Sequence, residues 1–164
     1  MLHELNALAT PSAALLVERG QSVAVADGST GGLISEAFCT VPGATKFFKG
    51  GGTLYSIAGR KHLFGLPLSD WNGLRGVTEP YALLQATAIR DNFGADWSIA
   101  ESGSAGPVDH PHGKPSGTSC IAVAGPDGFT LVRMVETDSN DRIANMESFA
   151  RAALAMLQEA LTQG

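Results

Sequence analysis

Basic clusters, long apolar runs and paired cysteines are all missing from this chain, and each gap removes a class of function. Eleven Lys and Arg stand against sixteen Asp and Glu in 164 residues, a net charge of −5, with no basic run. Non-specific nucleic-acid binding depends on clustered cations, so nucleic acid is not an expected partner. No apolar stretch reaches bilayer-spanning length, and Met1-Leu2-His3-Glu4 lacks the charged region and apolar core of a cleavable leader. No membrane partner is expected, and a cytoplasmic location is. The only cysteines, Cys39 and Cys120, show no metal-type spacing and read as buried free thiols. Aromatics are scarce at 7%, yet apolar residues reach 44%, which suits a small-residue α/β core and argues against disorder.

What is present alternates. Leu5, Leu8, Leu15, Leu16 and Val17 predict an opening helix or helix pair, with Thr10-Pro11 as a cap and first-turn pair and Gly20 as its end. Next come a strand over 22–26 and a helix over about 31–40. Gly50-Gly51-Gly52 leads into a strand at Thr53-Leu54-Tyr55, then a short helix near Ala58–Phe64. Pro67–Gly76 reads as a loop, with turn chemistry at Asp70-Trp71-Asn72-Gly73. Thr78, Glu79 and Pro80 open a helix whose apolar set is Leu83, Leu84, Ala88 and Ile89, ending at Asn92-Phe93-Gly94. Trp97–Ala100 reads as a strand. Segments 117–123 and 129–135 flank Gly125-Pro-Asp-Gly128, a hairpin signal. Ile143, Met146, Phe149, Ala150, Ala153, Leu154, Leu157 and Leu161 form the stripe of a final helix. The expected fold is α/β: one three-layer α/β/α domain over 1–164, with a mixed, largely parallel sheet and a C-terminal hairpin and helix.

The loop Asp27-Gly-Ser-Thr-Gly-Gly32 joins the first strand to the helix after it. Glycine-rich strand-to-helix turns bring backbone N–H groups and a partial positive charge up to an anion, or display a side chain as a nucleophile. They also serve merely to pack strand on helix, and the spacing leaves both readings open. Asp27 and Glu101 are candidate acids at strand ends, equally able to cap a turn. Asp109-His110-Pro111-His112 invites a metal, but no partner residue stands at recognisable spacing, and a solvent loop holding two histidines fits better.

The order of motifs resembles the CinA C-terminal domain family, the nicotinamide mononucleotide deamidases. The family pattern A-E-S-C-T-G-G stands here as Ala26-Asp-Gly-Ser-Thr-Gly-Gly32 and P-G-S-S-x-x-F as Pro42-Gly-Ala-Thr-Lys-Phe-Phe48. T-Y-S-N-E-A-K stands as Leu54-Tyr-Ser-Ile-Ala-Gly-Arg60 and V-S-E-P as Val77-Thr-Glu-Pro80. S-G-x-A-G-P falls on Ser102–Pro107, K-P-x-G-T on Lys114–Thr118, and a late Asp-Arg on Asp141-Arg142. The resemblance implies removal of the amide nitrogen of nicotinamide mononucleotide by serine attack and hydrolysis of an acyl-enzyme, without cofactor or metal. It implies a small nucleotide as ligand and a domain that self-associates.

Two departures fall on the apparatus itself. The family serine is Gly28 here, and the family lysine is Arg60, an always-charged group ill suited to be a base. Ser29 and Lys61 follow each by one residue, so a shifted Ser29–Lys61 pair is one expectation, with Arg60 and Tyr55 as further candidate catalytic groups. Restoring Gly28→Ser with Arg60→Lys is expected to raise activity if the scaffold is otherwise competent. The candidate ligand-binding set is Gly28, Thr30, Gly31, Gly32, Thr45, Ser102, Gly103 and Arg142, the last suited to a phosphate. For Tyr55 a half-buried strand tyrosine, and for Arg142 a solvated helix residue, remain alternatives. Two functions stay open: an amidohydrolase, or a nucleotide-binding homologue that has lost the chemistry.

Overall fold

The sheet is made of strands that are bulky on one face and small on the other. In β1 (Val23–Asp27), Val23 and Val25 point to one side and Ala24 and Ala26 to the other, all fully buried. β3 (Trp97–Ser104) and β4 (Thr118–Ala124) repeat this, with Trp97, Ile99, Ile121 and Val123 opposite Ala100, Cys120, Ala122 and Ala124. Burial on both faces is why apolar residues stand on both sides of these strands. Among residues 1–64 and 73–164, which this computed structural model describes, five strands form one sheet in the order β2-β1-β3-β4-β5. β1 pairs parallel with β2 (Phe48–Thr53) and β3; β3, β4 and β5 (Thr130–Glu136) pair antiparallel. The sheet is mixed, with its parallel part where the first half of the chain winds.

The bulky face carries α1 (Leu2–Arg19), α2 (Leu33–Cys39) and α5 (Arg142–Gln163); the small face carries α4 (Glu79–Phe93), with α3 (Ile57–Phe64) against it. The opening segment is one helix, not two. Pro11 sits inside it, and the Thr10 hydroxyl donates back to Asn6 O at 2.7 Å instead of capping a new start. Gly20 closes α1 at φ 63°, the left-handed conformation that glycine adopts without Cβ strain. The three glycines lie within β2 rather than before it, and of Thr53-Leu54-Tyr55 only Thr53 belongs to the strand. A Cβ on Gly51 would press on Val25 O at 2.8 Å and on the Ser35 hydroxyl, so the bare backbone lets β1 and α2 approach.

Thr78 stands at the head of α4, but its hydroxyl donates to Arg75 O and caps nothing. The buried face of α4 is Tyr81, Ala82, Gln85, Ala86, Ala88 and Ile89; Leu83 and Leu84 ride at its flanks, half-buried. Three alanines on that face let the helix lie close to the alanines of the sheet. β3 runs on through Glu101 to Ser104, beyond the expected end at Ala100. In α5, Asp141 accepts from Ala144 N at 3.1 Å as the cap, and the expected stripe is buried except for Ile143, 69% exposed in the first turn, and half-buried Met146. Both cysteines are free, but only Cys120 is buried; Cys39 is exposed at the end of α2. Most of the turn read at Asp70-Trp71-Asn72-Gly73 falls outside the described residues. No helix among the described residues is long and apolar enough to cross a membrane.

Candidate functional site

The carboxyl ends of β1 and β3 point the same way, and ligand crevices in open α/β sheets form at such ends. Here they open into a cavity of about 350 Å³. Gly28 and Ser29 follow β1, Leu54 and Tyr55 follow β2, and Glu101–Ser104 end β3. α3 supplies Arg60, α4 supplies Tyr81 and Gln85, the β3–β4 loop supplies Val108–Pro111, and α5 supplies Arg142. The loop from β1 and the guanidinium of α5 therefore share one cavity.

Its floor is a buried carboxylate. Glu101 Oε1 accepts from the Ser29 and Ser119 hydroxyls, each at 2.6 Å, and Oε2 accepts from Gly28 N at 3.1 Å and Thr30 N at 2.9 Å. Burial pushes the Glu101 carboxyl above its ordinary range, opposed by the Ser119, Ser29 and Thr30 hydrogen bonds and reinforced by the nearby Asp27. Asp27 takes the other of its two possible roles: it ties down the start of α2. Its Oδ1 accepts from Ile34 N and the Thr30 hydroxyl, and Oδ2 from the backbone and hydroxyl of Ser35. The β1–α2 turn is thus pinned by two carboxylates, one lining the cavity and one behind it.

Above that floor stand two guanidinium groups. Arg142 donates to Gly106 O and to the Tyr55 hydroxyl, both at under 3 Å (2.6 and 2.8), joining the loops after β2 and β3. Tyr55 is 64% exposed and lies beyond the end of β2, so it is not the half-buried strand tyrosine that is one of its two readings. Arg60 lies over the Tyr81 ring, with Cζ 4.7 Å from its centroid. Burial drives the Tyr81 phenol up to about 12 against the opposing charge of Arg60, so it stays neutral. Among the described residues, two buried polar atoms in this wall have no hydrogen-bond partner: Arg60 Nε, a donor, and Gln85 Oε1, an acceptor. Protein interiors rarely leave such groups unpaired, which makes them a prompt for a ligand. His110 also lines the cavity, and burial, with His112 and Arg60 adding to it, holds its imidazole below the usual range.

The structure gathers Gly28, Ser29, Tyr55, Arg60, Ser102, Gly103 and Arg142 around one space. Lys61 does not join them: it is exposed on α3, one helical step from Arg60, and the Ser29 hydroxyl bonds Glu101 instead. Thr30 is fully buried against Asp27 and Glu101, Gly31 and Gly32 lead into α2, and Thr45 is exposed in a short 3-10 turn; none of these lines the cavity. Restoring a side chain at Gly28 is blocked, because a Cβ there would collide with the Glu101 carbonyl oxygen. The Asp109–His112 loop is not mere solvent decoration, since Asp109, His110 and Pro111 border the site. Among the described residues no group of three or more His, Cys, Asp or Glu is placed to hold a metal. Tyr81 and Gln85 escaped the sequence reading. The signal was there: a polar glutamine four residues after a tyrosine, flanked by alanines on one helical face.

Residues 5–161 match the family model of the CinA C-terminal domain. A CinA-like protein of Synechococcus sp. (strain CC9902) is 41% identical over 117 residues, 71% of this chain and 28% of that protein. One from Prochlorococcus marinus (strain MIT 9313) is 37% identical over 150 residues, 92% of this chain and 35% of that protein. The chain spans about a third of the length of these relatives. Among solved structures, a competence-damaged protein (CinA) superfamily protein from Klebsiella pneumoniae superposes with a TM-score of 0.89 at 27% identity, covering 98% of this chain and 99% of that one. A competence or damage-inducible protein from Enterobacter asburiae gives 0.87 at 30% identity, covering 96% and 98%. The chain belongs to the CinA C-terminal domain family.

Proposed function

We propose that the cavity is a binding pocket for a pyridine mononucleotide of the nicotinamide mononucleotide type. One observation carries this reading: two guanidinium groups, Arg60 and Arg142, border a single cavity that also holds Tyr55 and Tyr81. In a chain of net charge −5, two cations at one mouth suit an anion such as a phosphate, which a guanidinium grips bidentately. The aromatic rings suit a flat base, and Arg60 Nε with Gln85 Oε1, unpaired among the described residues, suits a carboxamide, which offers one donor and one acceptor. The order of motifs shared with nicotinamide mononucleotide deamidases supports the same ligand. Because β1 and α5 both border the pocket, the same proposal treats residues 1–164 as one folding unit.

The serine–lysine route that the resemblance implies is not open to this chain. Gly28 carries no nucleophilic atom and has no room for one, while Arg60 keeps its charge and its place over Tyr81. Isothermal calorimetry with nicotinamide mononucleotide, and with the riboside that lacks the phosphate, tests the pocket. Saturable binding of the nucleotide, weakened about tenfold or more for the riboside, is expected from the loss of charged hydrogen bonds. Equal affinity for both, or no binding of either, overturns the reading.

A further inference from the structure

A buried carboxylate is out of place in an anion pocket unless it has work of its own. Glu101 is fully buried and lines the cavity that Arg60 and Arg142 border. Its side chain is held by five donors, two backbone N–H groups and the Thr30 hydroxyl on Oε2 and two hydroxyls on Oε1, so it has one fixed orientation. Of the two hydroxyls, Ser29 lines the cavity and Ser119 does not. Two residues further along β3, room for that contact exists only because residue 103 is glycine. A Cβ there would stand 2.5 Å from Glu101 Oε1 and 2.8 Å from Ser119 Oγ, and closer still to Ser29 Oγ. A serine hydroxyl held at 2.6 Å from a fixed carboxylate, at the wall of a ligand-sized space, has the nucleophile–base geometry.

We infer that Ser29 is a nucleophile activated by Glu101, a pair that stands in this chain where the serine–lysine pair is missing. The chemistry rests on the pocket reading above for its substrate, a primary carboxamide. Ser29 Oγ attacks the carboxamide carbon as its proton passes to Glu101 Oε1. The tetrahedral adduct collapses with cleavage of the C–N bond, the nitrogen takes that proton, and ammonia leaves an ester on Ser29. Water then attacks the ester, giving its proton to Glu101, which returns it to Oγ as the carboxylic acid departs. Amide plus water has become acid plus ammonia, with no other reactant.

The competing role for Glu101 is a tether for the β1–α2 turn, and glutamine separates the two. In Glu101→Gln the amide oxygen can keep the place between Gly28 N and Thr30 N, while the NH2 faces two hydroxyls that rotate to accept. The tether survives, but the Ser29 proton loses its acceptor. Methanesulfonyl fluoride, small enough for the cavity, reads the nucleophile without any assumption about the substrate: Oγ–S forms, S–F breaks, fluoride leaves and the proton goes to Glu101. Peptide mass spectrometry is expected to place one sulfonyl adduct on Ser29, and Glu101→Gln to slow its formation by about a hundredfold or more at a temperature where the variant is fully folded. Glu101→Asp, which keeps the charge and draws it back by one methylene, gives an intermediate rate and serves if the glutamine variant fails to fold. No adduct on Ser29, or equal rates in wild type and both variants, overturns the pair. Calorimetry on the same samples keeps the two proposals apart: nucleotide binding without labelling removes only the nucleophile, and labelling without binding removes only the pocket.

Discussion

The two faces of the sheet do different work. On one, Val23, Val25, Ile99, Ile121 and Val123 meet Leu16, Phe38, Phe149, Leu154 and Leu157 of three helices. On the other, Ala24, Ala26, Ala100, Ala122 and Ala124 meet Ala82, Ala86 and Ala88 of α4. Each large side chain fully buried on the first face is worth about 1.5–3 kcal/mol, so stability concentrates there. The alanine face contributes little per residue, but it lets α4 lie close to the sheet and turns Tyr81 and Gln85 toward the ends of β1 and β3. Bulk holds the domain together, and small residues set the geometry of the cavity.

That contrast can be broken from either side. Phe149→Ala, fully buried among α5 neighbours, should cost about 3–5 kcal/mol in chemical denaturation, the largest effect expected. On the small face the damaging direction reverses: Ala122→Leu should cost about 1–3 kcal/mol by overpacking, and should weaken nucleotide binding more than Phe149→Ala does. Gly103→Ala should cost a similar amount and part Ser29 from Glu101, seen as lost sulfonyl labelling at a temperature where the variant is still folded. A smaller effect comes from pH. The Glu101 carboxyl is raised in the fold above its ordinary 4.5, so its protonated form adds stability that is complete below that value and is lost as pH climbs through the raised one. The difference in melting temperature between wild type and Glu101→Gln should therefore change from pH 4.5 toward neutral; a constant difference means that Glu101 does not titrate there. Lys61→Ala should change neither binding nor labelling, since that side chain is exposed beyond the cavity.

The short apolar run before Asp27 made β1 legible, and the wide stripe from Phe149 to Leu161 did the same for α5. Pattern and burial coincide in those elements. Pro11 misled because the rule that proline starts helices is statistical, and an amphipathic run with leucines on both sides of the proline held the helix together. On α4 the expected Ala88 and Ile89 are buried but Leu83 and Leu84 ride at the flanks, because the face that meets the alanine sheet is centred on Ala82 and Ala86. At the site, motif order located Ser29, Tyr55, Ser102, Gly103 and Arg142 around one space, but the partner of Ser29 did not follow from sequence. Lys61 is suggested because it follows the motif position Arg60; Glu101, 72 residues from Ser29, is adjacent in space through parallel pairing of β1 with β3. Register, which decides such a partner, is a property of the folded sheet.

The most direct measurement is a calorimetric titration of nicotinamide mononucleotide into the wild-type protein and into Arg142→Ala. Saturable binding by the first, weakened by about tenfold to a hundredfold in the second at an unchanged melting temperature, is the predicted result. Binding that ignores the loss of Arg142, or a wild-type protein that takes up no nucleotide, contradicts the account.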